Sequence, residues 1–265
     1  MWQPIDEMPK DFAKTPISKT EITIHPRAYK RGHQIGSHVH AQSQFLYSIS
    51  GLMNVTTPAG RFLVPPQRAV WIPTNIEHSV DVITDIEMRS VYIESSWLKR
   101  HTNYSKLNQV YLIEVNALLR ELILATHQQK TNKEKINLLM TLALLELTGA
   151  EDASTFLPMP IDARAKKVAE LTLSDVHSMK DFEQLCFEAS ASSRTITRLF
   201  TKETKMSFRE WRQRARIMNA LELLENKKLS IKQVAMSLGF SSTASFAHAF
   251  KEVMGITPTE FSSPQ

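Results

Sequence analysis

The strongest constraint in this chain is a change of hydrophobic rhythm near Trp97. Before it, from Glu21 to about Glu94, short runs rich in β-branched and aromatic residues follow one another: FLYSIS, LMNVTT, RFLV, AVWIP, HSVDVI and MRSVYIE. Turn residues separate them at Gly51, Pro58-Ala59-Gly60, Pro65-Pro66 and Thr74-Asn75. Strands at this spacing point to a sandwich or barrel. After Trp97, LNQVYLIEVNALLRELILATHQQ and KEKINLLMTLALLELTGA carry apolar residues at three- and four-residue intervals, as amphipathic helices do. The stretch Ser154 to Arg164 reads as a linker, because Pro158 and Pro160 each bias the preceding residue away from helix. The chain is helical beyond it.

The 265 residues leave room for two ordinary domains. Hydrophobic content of 42% and charged content of 22% fit a soluble globular protein. MWQPIDEMPK at the start lacks the basic and apolar regions of a secretory signal. The most apolar segment, INLLMTLALLEL, is interrupted by Asn137, Thr141 and Glu146 and is too short to span a bilayer. Cys186 is the single cysteine, so no intrachain disulfide forms, and the expected location is the cytoplasm.

Net charge is +5, and its distribution is more informative than its size. Between Arg194 and Arg216 stand eight basic residues against Glu203 and Glu210, an excess of six in 23 residues. Charge alone leaves a solvated helix face and a nucleic-acid surface about equally plausible. The hydrophobic pattern adds the context. KDFEQLCFEA, a turn at Ser190-Ala191-Ser192 and SRTITRLFTKET form one helix-turn-helix unit, with Ile196, Leu199 and Phe200 inward and Arg194, Thr197 and Arg198 outward. SFREWRQRARIMNALELLEN then makes a long helix that buries Trp211, Ala215, Met218, Leu221 and Leu224 and exposes Arg209, Arg212 and Arg216. SIKQ opens the second unit with a capping box, Gly239 stops that helix, and SSTASFAHAFKEV follows with Phe246 and Phe250 inward. TPTE, from Thr257 to Glu260, starts a last helix.

ASSRTITRLFTKETKMSF, WRQRARIMNALELL and SIKQVAMSLGFSSTASFAHAFKEVMGITPTEF, in that order, resemble the DNA-binding domain of the AraC/XylS family of bacterial transcription regulators over roughly Arg164 to Phe261. The resemblance implies double-stranded DNA as partner. It places Arg194, Thr197 and Arg198 of the first unit, and Ser242, Thr243, Ala244 and His248 of the second, toward the bases. Lys251 lies nearby, and Arg209, Arg212 and Arg216 lie toward phosphates. The sequence departs from the family pattern in three places. His248 stands where arginine is common, so the first unit is expected to carry most of the direct readout. Ser190 and Lys205 stand where glycine is common, at a cost on the order of 1 kcal/mol each if the backbone there is left-handed.

GHQIGSHVHAQSQFLYSISG, from Gly32 to Gly51, resembles the first cupin motif, G-x5-H-x-H-x3-E-x6-G, with Gln44 in place of the glutamate. PTNIEH, from Pro73 to His78, resembles the core of the second, with Asn75 in place of glycine. On one strand His38, His40 and Gln44 would share a face. His38, His40, Gln44 and His78 are thus the candidate effector-binding set. His38, His40 and His78 are also candidate ligands for a divalent transition metal. Three readings stay open: a metal-free effector pocket, a metal site, and histidines that merely satisfy each other. Tyr47 and Trp71 fit a pocket lining or the core, and Arg68 fits an ordinary surface position.

The expected fold class is α+β. A cupin-like barrel (15–95) is followed by a helical connector (96–150) and an all-α domain with two helix-turn-helix units (161–265). The connector's apolar residues Val110, Ile113, Leu118, Leu122 and Leu139 serve core or a homodimer contact. The expected function is a non-enzymatic transcription regulator that responds to a small effector and contacts RNA polymerase if it activates. A metal-dependent cupin enzyme with an accessory helical domain is the alternative.

Overall fold

The computed structural model describes residues 21–66, 68–102, 105–128, 132–149, 155–174, 180–225 and 229–262. The reading of the first ten residues, the start of the sensor at residue 15 and the linker's first residue, Ser154, lie outside them. The chain divides into two compact units, one within 1–58 and 62–153 and the other within 154–265 together with 59–61.

Among the described residues, the first unit is built on strands β1 (Ile22–Tyr29), β2 (Gln34–His38), β3 (Ser43–Ser48), β4 (Met53–Thr57), most of β5 (Gly60–Val64), β6 (Arg68–Ile72), β7 (His78–Val82), β8 (Ile86–Ile93) and β9 (Tyr111–Glu114). They form two sheets, one in the order β1-β8-β3-β6-β9 and the other containing β5-β4-β7-β2. Three helices follow: α1 (Ser95–His101), α2 (Ala117–Gln128) and α3 (Lys133–Gly149). Alternation along the first sheet separates two kinds of face. Phe45, Tyr47, Ala69, Trp71 and Val91 join Leu119, Leu122, Met140 and Leu144 of α2 and α3 in one apolar core. The opposite face carries Gln44, Ser90 and Tyr92, whose side chains meet one another. Tyr47 and Trp71 are therefore core, and the Trp71 indole N–H donates to the Leu107 carbonyl at 2.8 Å.

Gly51, which closes the first cupin motif, has φ 75°, and a Cβ there would come within 2.1 Å of the Asp85 carbonyl. That turn needs glycine both for its backbone conformation and for the close approach.

Two expectations need correction in this unit. The stretch assigned to one helix from Leu107 holds strand β9, because Tyr111, Leu112 and Ile113 form a short apolar run that pairs with β6. A run of that length fits either period until a partner strand decides it. Arg68 is buried, with its guanidinium 3.5 Å from the Glu114 carboxylate. Among the connector residues, Ile113 and Leu122 are core, while Leu118 is 54% exposed.

The second unit runs through β10 (Phe156–Pro158), α4 (Ala163–Ser174), α5 (Phe182–Glu188), α6 (Ser193–Thr204), α7 (Phe208–Glu225), α8 (Ile231–Ser237), α9 (Thr243–Met254) and α10 (Pro258–Ser262). The segment read as a plain linker is thus partly extended. Its Phe156 and Pro158 carbonyls accept from the Arg214 guanidinium at 3.1 Å and the Trp211 indole at 2.7 Å. Helix α7 packs against α6, α8 and α9, burying Trp211, Ala215, Met218, Leu221 and Leu224. The same packing leaves Arg212 and Arg216 half-buried, where exposure was expected. Side chains cap the helix starts: Ser192 for α6, Ser230 with Gln233 for α8 and Ser242 with Ser245 for α9. Thr257 and Glu260 do the same for α10. Ser190 and Lys205 are left-handed, with φ 52° and 61°.

Candidate functional site

Two polar sites stand out, one in each unit. In the first, His38 ends β2, His40 sits in the turn beyond it, Gln44 lies in β3 and His78 begins β7. The two near histidines do not share one strand with Gln44, as the sequence pattern suggested. A tight turn brings His40 round, and β7 supplies His78 beside His38, its register partner. One ring nitrogen from each of the three histidines lies within 4.8 Å of the others. The His38 and His78 rings are 4.2 Å apart, and those of His40 and His78 4.9 Å.

Every Nδ1 in the cluster faces a backbone carbonyl: Gly36 at 2.8 Å for His38, Gln42 at 2.6 Å for His40 and Ile76 at 2.9 Å for His78. Such contacts put the proton on Nδ1 and turn Nε2 toward the site. The Nε2 atoms of His40 and His78 both lie 3.1 Å from Gln44 Oε1. The Gln44 amide N–H groups donate to Ser90 Oγ at 3.2 Å and Tyr92 OH at 3.0 Å. Burial pushes His40 below the usual histidine range and brings His78 down to about 4, so both rings are neutral at physiological pH. Burial likewise raises the Tyr92 phenol to about 12. The site therefore offers neutral imidazole nitrogens and an amide oxygen, a donor set suited to a late first-row divalent ion.

Ser90, Tyr92 and His25 are members that sequence reasoning missed. His25 packs edge-on against Tyr92, and its Nε2 is buried without a hydrogen-bond partner. Alternation in MRSVYIE shows that Ser90 and Tyr92 share a face, but only strand pairing brings that face to Gln44.

In the second unit Arg194, Thr197 and Arg198 are exposed on α6, and with Lys202 they line a shallow groove. Thr243, Ala244, His248 and Lys251 are exposed on α9. The Ser242 hydroxyl accepts from the Ser245 N–H at 3.0 Å, so it serves as the cap of α9. His248 lies 3.6 Å from the Glu252 carboxylate. A second groove is lined by residues of both helix-turn-helix units and α7, among them Thr197, Arg209, Arg212, Arg216, Ser241 and His248. Desolvation lowers the proton affinity of Arg212 and Arg216, and for Arg212 nearby Asp181 opposes it. Both remain cations, and their partial burial limits the freedom lost on meeting an anion.

A family model described as an AraC-like ligand binding domain matches residues 23–145, and a helix-turn-helix domain model matches residues 185–263. The chain is 30% identical over 227 residues to the HTH-type transcriptional regulator NimR of Escherichia coli, covering 84% of this chain and 81% of that one. It is 35% identical over 108 residues to the HTH-type transcriptional regulator RipA of Corynebacterium glutamicum, which spans 41% of this chain and 32% of that protein. Among solved structures, ToxT of Vibrio cholerae bound to an unsaturated fatty acid aligns over 92% of this chain and 95% of its own, at 16% identity and a TM-score of 0.38.

Proposed function

Because this chain belongs to the AraC family of DNA-binding transcription regulators, with an N-terminal domain that binds a small effector, we propose a residue-level division of labour between its two sites. Arg194, Thr197 and Arg198 on α6 read base edges. Thr243, His248 and Lys251 on α9 mainly position the second unit, and Ser242 holds the start of that helix. Arg209, Arg212 and Arg216 hold phosphates. The observation that carries this reading is the pair of helices α6 and α9, each with its apolar stripe buried and its polar stripe exposed, with the arginine-bearing start of α7 between the two units. Two such units in one polypeptide match two successive major grooves about one helical turn apart, so the half-site is asymmetric.

In the first unit, His38, His40, Gln44 and His78 receive the effector, with His25 at the edge of the same surface. The barrel senses and does not turn over a substrate. An effector acts by binding one arrangement of the sensor better than another, since only differential affinity shifts such an equilibrium. Leu138, Leu142 and Leu145 are exposed on α3 at 63%, 52% and 61% and, with Leu118 on α2, present an apolar strip for a second copy of the chain. We assign the protein to the cytoplasm and, where it activates, to contact with RNA polymerase. Among the described residues no helix is long and apolar enough to cross a membrane.

The test is selection of binding sites from random duplexes by the full chain, with affinity measured against salt. The expected result is a non-palindromic motif whose affinity falls linearly on a log–log salt plot. Absence of any enriched motif, or binding indifferent to salt, overturns the assignment. Sedimentation that shows only monomer at all concentrations, with and without DNA, removes the dimer.

A further inference from the structure

The outward faces of α6 and α9 differ in hydrogen-bonding polarity. Arg194 and Arg198 on α6 offer only N–H donors, so they suit base edges that accept, such as guanine O6 and N7. At His248 the neighbouring side chain decides the polarity. Its Nε2 lies 3.6 Å from Glu252 Oε1, one turn further along α9, and the Gln213 amide of α7 donates to Glu252 Oε2 at 3.5 Å. Glu252 is thus tied to two helices. His248, Glu252 and Gln213 line the groove between the helix-turn-helix units together with Asp181, Arg209, Arg212 and Arg216. A carboxylate only accepts, so it draws the ring proton of a neutral imidazole to Nε2 and leaves a lone pair on Nδ1. The two side chains are 78% and 56% exposed, and such a pair is weak in water. Exclusion of water as a duplex closes over the groove strengthens it.

We propose that Glu252 is a positioning residue for base readout: it sets the His248 tautomer so that Nδ1 accepts from an exocyclic amino group in the major groove, adenine N6 or cytosine N4. Guanine and thymine present only acceptors there, O6 and N7 or O4, which set lone pairs against a lone pair. The charge of Glu252 acts in the same sense, since it repels carbonyl edges and attracts N–H edges. At these positions the two reading helices therefore favour opposite edges, acceptors under α6 and donors under α9. His248→Arg reverses the polarity, because a guanidinium has no acceptor. One neutral hydrogen bond is a modest contribution, which leaves α9 the weaker reader. The inference rests on the reading that α9 lies over base edges, and it names the bases that this helix selects.

The test is selection of binding sites from random duplexes by the full chain and its variants, at about pH 8, above the ordinary histidine range. The parent is expected to prefer A or C over G or T at one position under α9, by roughly threefold to tenfold, the worth of one hydrogen bond. His248→Arg is expected to turn that preference to G. Glu252→Gln is expected to lose it while the rest of the motif stays. Nitrogen-15 NMR of the full chain, labelled at histidine and bound to its selected duplex, reads the tautomer, with His248→Ala to assign the signal. The expected ring is neutral and protonated on Nε2. A preference for G or T in the parent overturns the proposal, as does an imidazolium or a ring protonated on Nδ1. An unchanged preference in Glu252→Gln overturns the role of Glu252. A specific motif that neither His248→Arg nor His248→Ala alters at any position refutes the placement of α9 over the bases. No enriched motif for the parent refutes the DNA-binding assignment itself.

Discussion

Helices α5 and α8, the first of each helix-turn-helix unit, end on residues with the same backbone angles: Ala189 and Leu238 both have φ −91° and ψ 7°. The next residue is left-handed in both, Ser190 in one unit and Gly239 in the other. The second helices also end alike, on left-handed Lys205 and Gly255. Inward, Ile196, Leu199 and Phe200 answer to Phe246, Ala249 and Phe250, all buried. Outward the likeness stops, with Arg194, Thr197 and Arg198 on one helix and Thr243, Ala244 and His248 on the other. Packing and turn geometry fix the backbone of a unit, whereas its exposed face bears no packing constraint and is free to differ. The second unit carries glycine where its backbone is left-handed, and an alanine and a histidine outside. The first does the reverse, tolerating strain beneath a face with two arginines.

The largest expected effect separates the two faces. Arg198→Ala should cost about 1–3 kcal/mol of specific binding and relax sequence preference at the base it contacts. His248→Ala should cost well under that, in binding-site selections with both variants. A greater loss of specificity from His248→Ala breaks the comparison. Next comes the helix the units share. Alanine at Arg209, Arg212 or Arg216 should weaken binding about equally on all sequences and lower the slope of log affinity against log salt by about 1 each. If one of these variants changes sequence preference instead, that arginine reads bases. The smallest effect concerns strain. Ser190→Gly and Lys205→Gly should each stabilise the C-terminal unit by roughly 0.5–1 kcal/mol. Gly239→Ser and Gly255→Lys should each destabilise it by a similar amount, as read in calorimetry of the full chain. A neutral result in all four would mean that side-chain hydrogen bonds, such as the one from Lys205 to the Lys202 carbonyl, offset the backbone cost.

The helical unit was the more legible half. Its helices carry their own start and stop signals, such as Ser230 with Gln233 and Thr257 with Glu260, and their buried stripes follow a short local period. The arginine face was readable as charge but not as exposure. Arg212 and Arg216 are half-buried because α7 packs against α6, α8, α9 and α10, a fact no local pattern contains. In the sensor the strands were legible one at a time and their partners were not. That is why the apolar run at Tyr111 fits a helix as well as a strand until β6 pairs with it, and why Arg68 fits a surface position on local pattern although it is buried.

The sequence by itself determined which residues are the candidates for chemistry here: His38, His40, Gln44 and His78 in the first unit, and the arginines of the helical unit. Motif spacing suffices for that, because a turn and its flanking residues act within one short piece of chain. The tertiary structure alone decided which atoms of those residues meet. Gln44 is oriented by Ser90 and Tyr92, 46 and 48 residues further on. The three histidines converge only because one turn carries His40 past the end of β2 while β7 pairs beside it. Contacts between distant segments depend on strand register, and register is fixed by burying a whole sheet face at once.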